Sequence, residues 1–247
     1  AFEDHIIQAP GMEHIRDMVR GPIIPTPGAV MESAKLLYEH LGDLVVLDVG
    51  GATTDLHSVT EGSEEISRIL VSPEPKAKRT VEGDLGVYIN MRNIVDSIGR
   101  EKITEELGLN IDSIMENYKF VPQTEEEVRF VERLTKEAVI KATERHAGRI
   151  RYVYGPSGRS TLAEGKDLSQ IKYIIGTGGA LTRLPNRVHI MESIALHNET
   201  GLLLFPGTDA KILVDNDYIM ASLGVLSKRY KEAAVRFLEE SLDHQLI

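Results

Sequence analysis

The segment VVLDVGGATTDLHSV, residues 45–59, carries the densest chemistry in the sequence. Asp48 closes an apolar run, Gly50 and Gly51 follow, then Ala52, Thr53 and Thr54, and Asp55 opens a second run. Apolar runs on either side of paired glycines predict two strands joined by a tight hairpin with exposed backbone N–H groups. Such a loop suits phosphate. Glycine removes the side chain that would hold an anion away from the backbone, and Thr53 and Thr54 add hydroxyl donors. Asp48 and Asp55 are the candidate catalytic and metal-binding acids, because Mg²⁺ takes carboxylate, phosphate and water oxygens in octahedral geometry. A plain hairpin turn uses the same residue types. An acid at the end of a buried strand is costly without a partner or a metal, and this weighs toward function.

A second candidate is YIIGTGGALTRLP, residues 173–185, an apolar run that opens into glycines ahead of a helix-compatible stretch. It imitates a dinucleotide fingerprint, but that pattern needs glycine where Leu181 stands. Gly178 and Gly179 would still let backbone lie against an adenosine, with Arg183 free to stack on the base. A strand-to-helix turn packed closely through its glycines explains the same residues. Gly165-Lys166 is not a P-loop, since Ser160 and Asp167 occupy positions where that motif requires Gly and Ser/Thr.

The elements that position these loops alternate. Val30, Ala34, Leu37 and Leu41 share one face of a helix over 29–41, and the run LVVLDV predicts a buried strand over 44–49. Strands are predicted over 55–59, 66–71 and 77–81, the last two joined through Ser72-Pro73-Glu74-Pro75, to make a meander feeding a larger sheet. Helical spacing returns over 85–98, with short helices over 102–107 and 111–117. A long helix over 124–147 has the capping pattern Thr124 with Glu127 three residues on. A hairpin over 151–154 and 160–163, turning through Gly155-Pro156-Ser157-Gly158, precedes strands over 171–175 and 211–214 and helices over 218–223 and 226–242. The fold class is α/β, with a mixed sheet flanked by helices and no linker long enough to divide it.

Composition bounds the partners. The chain has 247 residues, 28 Lys and Arg against 38 Asp and Glu, and a formal charge of −10. That surface repels polyanions on average, which argues against nucleic acid. Without cysteine there are no disulfides, thiolate zinc sites or Cys nucleophiles, and this fits a reducing, cytoplasmic setting. No apolar run approaches the ~20 residues of a membrane helix, and the start, Ala1-Phe2-Glu3-Asp4, lacks the pattern of a signal peptide.

The order and spacing of the two glycine loops resemble the actin, heat-shock chaperone and sugar kinase superfamily of ATPases. There D-x-G-G-x-T-x-D is the second phosphate loop, here Asp48 to Asp55, and G-G-x-x-T-R-x-P is similar to the adenosine loop, here Gly178 to Pro185. Pro25-Thr26-Pro27-Gly28-Ala29-Val30 resembles the first connecting helix, and Asp215 to Gly224 the closing helix. Within the superfamily, DVGGATTDLHSV, RTVEGDLG, IRYVYGPSGR and IGTGGALTRLP most resemble the MutL or GlmL family found beside glutamate mutase and related cobalamin enzymes. The resemblance implies an actin-like, ribonuclease H-like lobe that binds ATP or ADP with Mg²⁺. Gly50, Gly51, Ala52, Thr53 and Thr54 would hold phosphate, and Gly178, Gly179 and Arg183 adenosine. It also implies an accessory, reactivating or chaperone-type partner of an adenosylcobalamin-dependent mutase, with weak ATPase activity in the complete protein. A homodimer is compatible with this.

The pattern departs from the superfamily in three places. The first phosphate loop, D-x-G-[ST]-x, does not occur, so the chain reads as the C-terminal part of a longer protein: a second lobe with a helical insertion over about 100–148. Thr26 stands where superfamily chaperones carry an acid, and the adenosine loop has one extra residue before Thr-Arg. Two readings compete with the accessory ATPase: a non-catalytic scaffold of the same fold, and an ATP-dependent hydantoinase- or carboxylase-type enzyme.

Weaker candidates have plainer explanations beside them. Glu82 and Asp84 either reach ribose or metal or form a polar turn. Glu137 and Lys141 read as a surface pair, His189 and His197 not as joint metal ligands, and Arg149, Arg151 and Arg159 as a solvated hairpin edge.

Overall fold

The computed structural model describes residues 23–156 and 158–246, together with Met18 and Gly21. The stretch Ala1-Phe2-Glu3-Asp4 and the turn residue Ser157 lie outside the described residues. Helix α1 spans Thr26–Leu41 and ends at Gly42, whose φ of 81° takes the chain into strand β1, Leu44–Val49. Strand β2, Thr54–Val59, returns antiparallel to β1, and β3, Ala77–Glu82, pairs antiparallel with β2. The predicted meander is present, but without a strand over 66–71. Ser63 caps a short helix, α2 (Glu64–Ser67), by accepting the Ile66 N–H at 3.1 Å, and only Leu70 makes an isolated bridge, to Ala163. Ser-Glu-Glu is an N-cap signature that outweighed the apolar spacing.

Helices α3 (Met91–Ile98), α4 (Arg100–Leu107) and α5 (Ile111–Asn117) lead into α6, Glu125–His146, which carries the predicted capping box. The helix predicted from Leu85 begins only at Met91, because residues 87–89 spend their N–H groups on the glycine hairpin: Val87 donates to the Gly50 carbonyl, and Tyr88 and Ile89 to that of Gly51. Strands β4 (Arg149–Gly155) and β5 (Gly158–Glu164) form the separate hairpin, as predicted. Strand β6, Tyr173–Thr177, runs directly into α7 (Gly178–Arg183), and a helix not anticipated, α8 (Arg187–Leu196), precedes β7, Lys211–Val214. The chain closes with α9 (Met220–Ser227) and α10 (Lys231–Leu242).

The main sheet has the order β3-β2-β1-β6-β7, antiparallel through β3, β2 and β1 and parallel from β1 to β7. Alternate residues feed two cores. Leu44, Val46, Val59 and Ile175 pack against α1, α9 and α10. Val45, Leu47, Val49, Leu56 and Ile174 pack against the Phe130, Leu134, Ala138 and Ala142 stripe of α6. This is a mixed five-stranded α/β sheet with helices on both faces, and a strand buried on both sides must carry the continuous apolar run seen in LVVLDV.

Candidate functional site

One end of the sheet gathers polar side chains on the face that α1 covers. Asp48 lies opposite Asp55 on β2 and opposite Thr177 on β6. Side chains of residues opposite one another share a face, so Asp55, Asp48 and Thr177 form a row. Asp215, next after β7, extends it: the Thr177 hydroxyl donates to Asp215 Oδ2 at 2.8 Å. Sequence reasoning named the two acids of the hairpin but missed Thr177 and Asp215. The signal was present, since three buried runs, LVVLD, YIIGT and KILVD, each end in a polar residue at the same phase.

The three acids are not equivalent. Asp215 is fully buried and accepts four hydrogen bonds, from Thr177, from the Ser241 hydroxyl at 2.6 Å, and from the backbone N–H of Ile219 (3.2 Å) and Met220 (3.0 Å). It anchors the start of α9 and has no capacity left for a ligand. That anchoring also corrects the helix predicted from Tyr218: Tyr218 takes φ of 56° and α9 begins at Met220. Asp48 has no hydrogen-bond partner among the described residues. Burial first, then the charges of Asp55 and Asp215, push its carboxyl up to about 6. Asp55 is 4% exposed, its Oδ1 is unpartnered, and burial raises it also to about 6, against the pull of the Thr53 hydroxyl and Arg79. Two carboxylates held this way suit a cation, which would return the free energy their desolvation costs.

The hairpin between them presents donors. Gly50 N–H closes the turn on the Thr53 carbonyl at 2.9 Å, while the N–H groups of Gly51, Ala52 and Thr53 meet no acceptor among the described residues. Its carbonyls face the other way: beyond the bonds from residues 87–89, Asn90 Nδ2 donates to the Ala52 carbonyl at 2.8 Å, and Gly86 sits where a Cβ would collide with the Ala52 backbone. The turn is thus held by its acceptors with its donors left open, the arrangement an anion requires. Thr54 does not share in this, since its hydroxyl is spent on the Leu85 carbonyl at 2.7 Å. A Cβ on Gly51 would lie 3.3 Å from Tyr88 Cβ, whereas Gly50 is less confined.

The two glycine loops meet. Gly178 has φ of 82° and lies against Asp48 Oδ1 and, at 2.6 Å from its would-be Cβ, Val49 N. Only glycine fits, so this residue packs directly against Asp48 and the end of β1. Gly179 faces open space. Arg183 is exposed, and its Nη1 donates to the Asn216 carbonyl at 3.4 Å, which holds it at the same end of the sheet. Tyr218, half exposed, stands close enough to Asp48 and Asp215 for burial and their charges to raise its hydroxyl.

The weaker candidates resolve as ion pairs. Glu82 and Asp84 both accept from Arg145, at 2.7 Å each. Glu137 pairs with Lys141, His189 with Glu192 and His197 with Glu144, so the two histidines have separate partners. Arg149 and Arg151 share Glu164 on the β4–β5 hairpin, and Arg159 covers Tyr152. No group of three or more His, Cys, Asp or Glu is arranged as a metal site among the described residues. A metal at Asp48 and Asp55 would therefore depend on water and on a second ligand such as phosphate.

Comparison with known proteins decides the family. The profile of the MutL protein family matches residues 1–242. The chain belongs to the MutL family. It is 35% identical, over 98% of its length, to the protein named Protein MutL from Clostridium tetanomorphum. It spans about half of that relative, 55% of its length. No helix of the described residues is long and apolar enough to cross a membrane.

Proposed function

We propose that this MutL-family chain is the nucleotide-binding lobe of an actin-like accessory ATPase that serves an adenosylcobalamin-dependent mutase such as glutamate mutase. The observation that carries the nucleotide reading is the pairing of opposites at one sheet end. Among the described residues, three backbone donors at Gly51, Ala52 and Thr53 stand open, and beside them Asp48 has no hydrogen-bond partner and the buried Asp55 leaves its Oδ1 unpaired. A lone anion would be repelled by the acids and a lone cation by the donors. Magnesium-bound phosphate satisfies both. The hairpin N–H groups would hold phosphate oxygens, Asp48 and Asp55 the Mg²⁺ through water, and Gly178, Gly179 and Arg183 the adenosine. Mg²⁺ would supply charge neutralisation between phosphoryl oxygens, while the acids orient the attacking water. The resemblance to the superfamily, and the family itself, support the partner.

Calorimetric titration of MgADP into the chain tests the site. Binding is expected, with loss on Asp48→Ala and on Gly51→Val, which would push a side chain into Tyr88. In the intact, longer protein Asp48→Ala is expected to abolish ATP turnover while the fold persists by circular dichroism. Undiminished turnover would remove Asp48 from the chemistry. ATP- and Mg²⁺-insensitive copurification with a mutase would favour the scaffold reading instead.

A further inference from the structure

The β4–β5 hairpin forms its own two-stranded sheet and gives neither core a residue. Its base is fixed: Ile150 N–H donates to the Leu202 carbonyl at 2.7 Å, Ala163 N–H to the Ile69 carbonyl at 2.9 Å, and Val71 N–H to the Ala163 carbonyl at 2.8 Å. Below them a Cβ on Gly148 would fall 2.4 Å from the Glu164 carbonyl, and Gly165 takes φ of 83°. Farther out the ribbon runs free. Ile150 lies opposite Ala163 and both bond outward, so this is a pair whose main-chain groups face away from each other. Every second pair repeats that arrangement. Tyr152 opposite Thr161, and Tyr154 opposite Arg159, therefore present N–H and C=O groups along both edges with no partner among the described residues. The same pairs share a face, where Tyr152 and Tyr154 stand together and Arg159 lies 4.6 Å over the Tyr152 ring. Tyr154 is 76% exposed, Val153 47% and Tyr152 45%. Large side chains grouped on a ribbon that buries so little of itself mark a surface that a partner covers. Charge indicates which kind of partner. Residues 149–164 carry three arginines and one acid, Glu164, in a chain of net charge −10. Arg149 and Arg151 share that acid, and Arg159 has no acidic partner among the described residues.

We infer that the β4–β5 hairpin is the element by which this protein docks on its client, and that it takes an acidic surface of the mutase with an apolar centre. The inference rests on the client proposed above and adds where the contact is made. An acidic client would be repelled by most of this chain and drawn to the hairpin, so charge orients the encounter and the tyrosines close it. The fixed base favours this role, since an element held in place beforehand loses little freedom on binding. Tyrosine and arginine are prominent among the side chains that carry binding free energy at protein interfaces, and Arg151, Tyr152, Tyr154 and Arg159 lie on one short ribbon. A second copy of this chain fits less well. Hairpin against hairpin would set arginines against arginines, and two chains of net charge −10 repel each other. The hairpin shares no strand with the sheet that carries the acids and the glycine loops, so docking and nucleotide binding use separate residues.

The test is surface plasmon resonance of the intact, longer protein against purified glutamate mutase of the same source at low ionic strength. Wild type is expected to bind. Tyr154→Ser, and separately Arg151→Glu with Arg159→Glu, should each weaken the complex about tenfold or more, the scale of an interface anchor. Added salt should weaken wild type and change the charge-reversed variant much less. All three side chains are exposed, so thermal midpoints should stay close to that of wild type. Equal binding of wild type and variants would overturn the inference and leave the accessory reading standing. A fall in thermal midpoint that accompanies the lost binding would also overturn it, by tracing the effect to the fold. A wild-type dimer that the same variants dissolve in sedimentation would assign the hairpin to a second copy. Tight binding of a single-stranded RNA, lost in the same variants, would assign it to nucleic acid, and either result overturns the docking on a mutase. Wild type that does not bind the mutase would overturn the partner reading, and the inference with it.

Discussion

The acids at the sheet end are held in a state that costs the free protein stability. Asp48 ionises in the unfolded chain near 3.8 but only at about 6 in the fold, so at neutral pH the native state carries a charge it disfavours. Asp48→Asn keeps the shape and removes that charge. It is expected to stabilise the unliganded chain by about 1–2 kcal/mol near pH 7.5, discounted from the two-unit shift for partial exposure. The sign then fixes the pH dependence. As pH falls through about 6 the wild-type carboxyl takes a proton in the fold before the unfolded chain does, so the advantage of the variant shrinks and vanishes below about 4. Urea unfolding at stepped pH checks this, and a variant less stable than wild type at pH 7.5 would show that Asp48 is satisfied in the native state. MgADP binding should meanwhile be lost, the trade expected where strain serves a ligand. These residues were legible in the sequence because an acid after four apolar residues has no innocent place. Thr177 and Asp215 were legible only by comparing three strands, since the pairing of β1 with β6 and of β6 with β7 is what sets their polar ends in one row.

At the scale of elements, the spacing of apolar residues predicted every strand of the main sheet, and pairing decided the rest. Segment 66–71 had strand-like residues but a capping serine before it. Segment 85–90 had helical spacing, but its N–H groups were claimed by hairpin carbonyls that a single-segment reading cannot see. Helix α8 escaped notice because Ile190, Met191, Ser193 and Ile194 are all buried, which leaves little amphipathic stripe. The crossing of α1 and α9 shows the same limit. Gly224 lies where a Cβ would run into the backbone carbonyl of Ala29, and the Ser33 hydroxyl donates to the Met220 carbonyl at 2.7 Å across the same contact. Backbone cannot retreat as a flexible side chain can, so Gly224→Ala is expected to cost at least about 1–3 kcal/mol despite improved helix propensity. Thermal unfolding measures it. Unchanged stability would mean that the two helices are free to separate.

Across the whole molecule, two histidines oppose the two acids. His57 and His146 are buried, and burial first, with help from Arg79 for His57 and from Lys78 for His146, lowers each to about 3. His146 is neutral between the Ser58 hydroxyl (2.7 Å) and the Thr80 hydroxyl (3.0 Å), so protonating it would break a satisfied contact. Their stability is present above about pH 6.5 and is lost as pH falls toward 3, because the unfolded chain takes up protons that the fold refuses. Asp48 and Asp55 act with the opposite sign between about 6 and 4, since the fold takes up protons first. Two groups of each kind nearly cancel, which predicts a wild-type stability that changes little from about pH 6 to 4. Below about 4 the acids are already protonated in both states, the histidines go on losing, and the lowered carboxylates of Glu32, Asp84 and Glu164, held down by Lys228, Arg145 and Arg149, begin to lose as well. The fold should then fail steeply. Asp48→Asn/Asp55→Asn removes the compensating pair, so the double variant should be more stable than wild type at pH 7.5 yet lose stability steadily from about 6.5 downward. Denaturant midpoints at half-unit pH steps compare the two profiles directly. Parallel profiles would show that the acids titrate normally in the fold, and the cation-seeking character assigned to this sheet end would go with them.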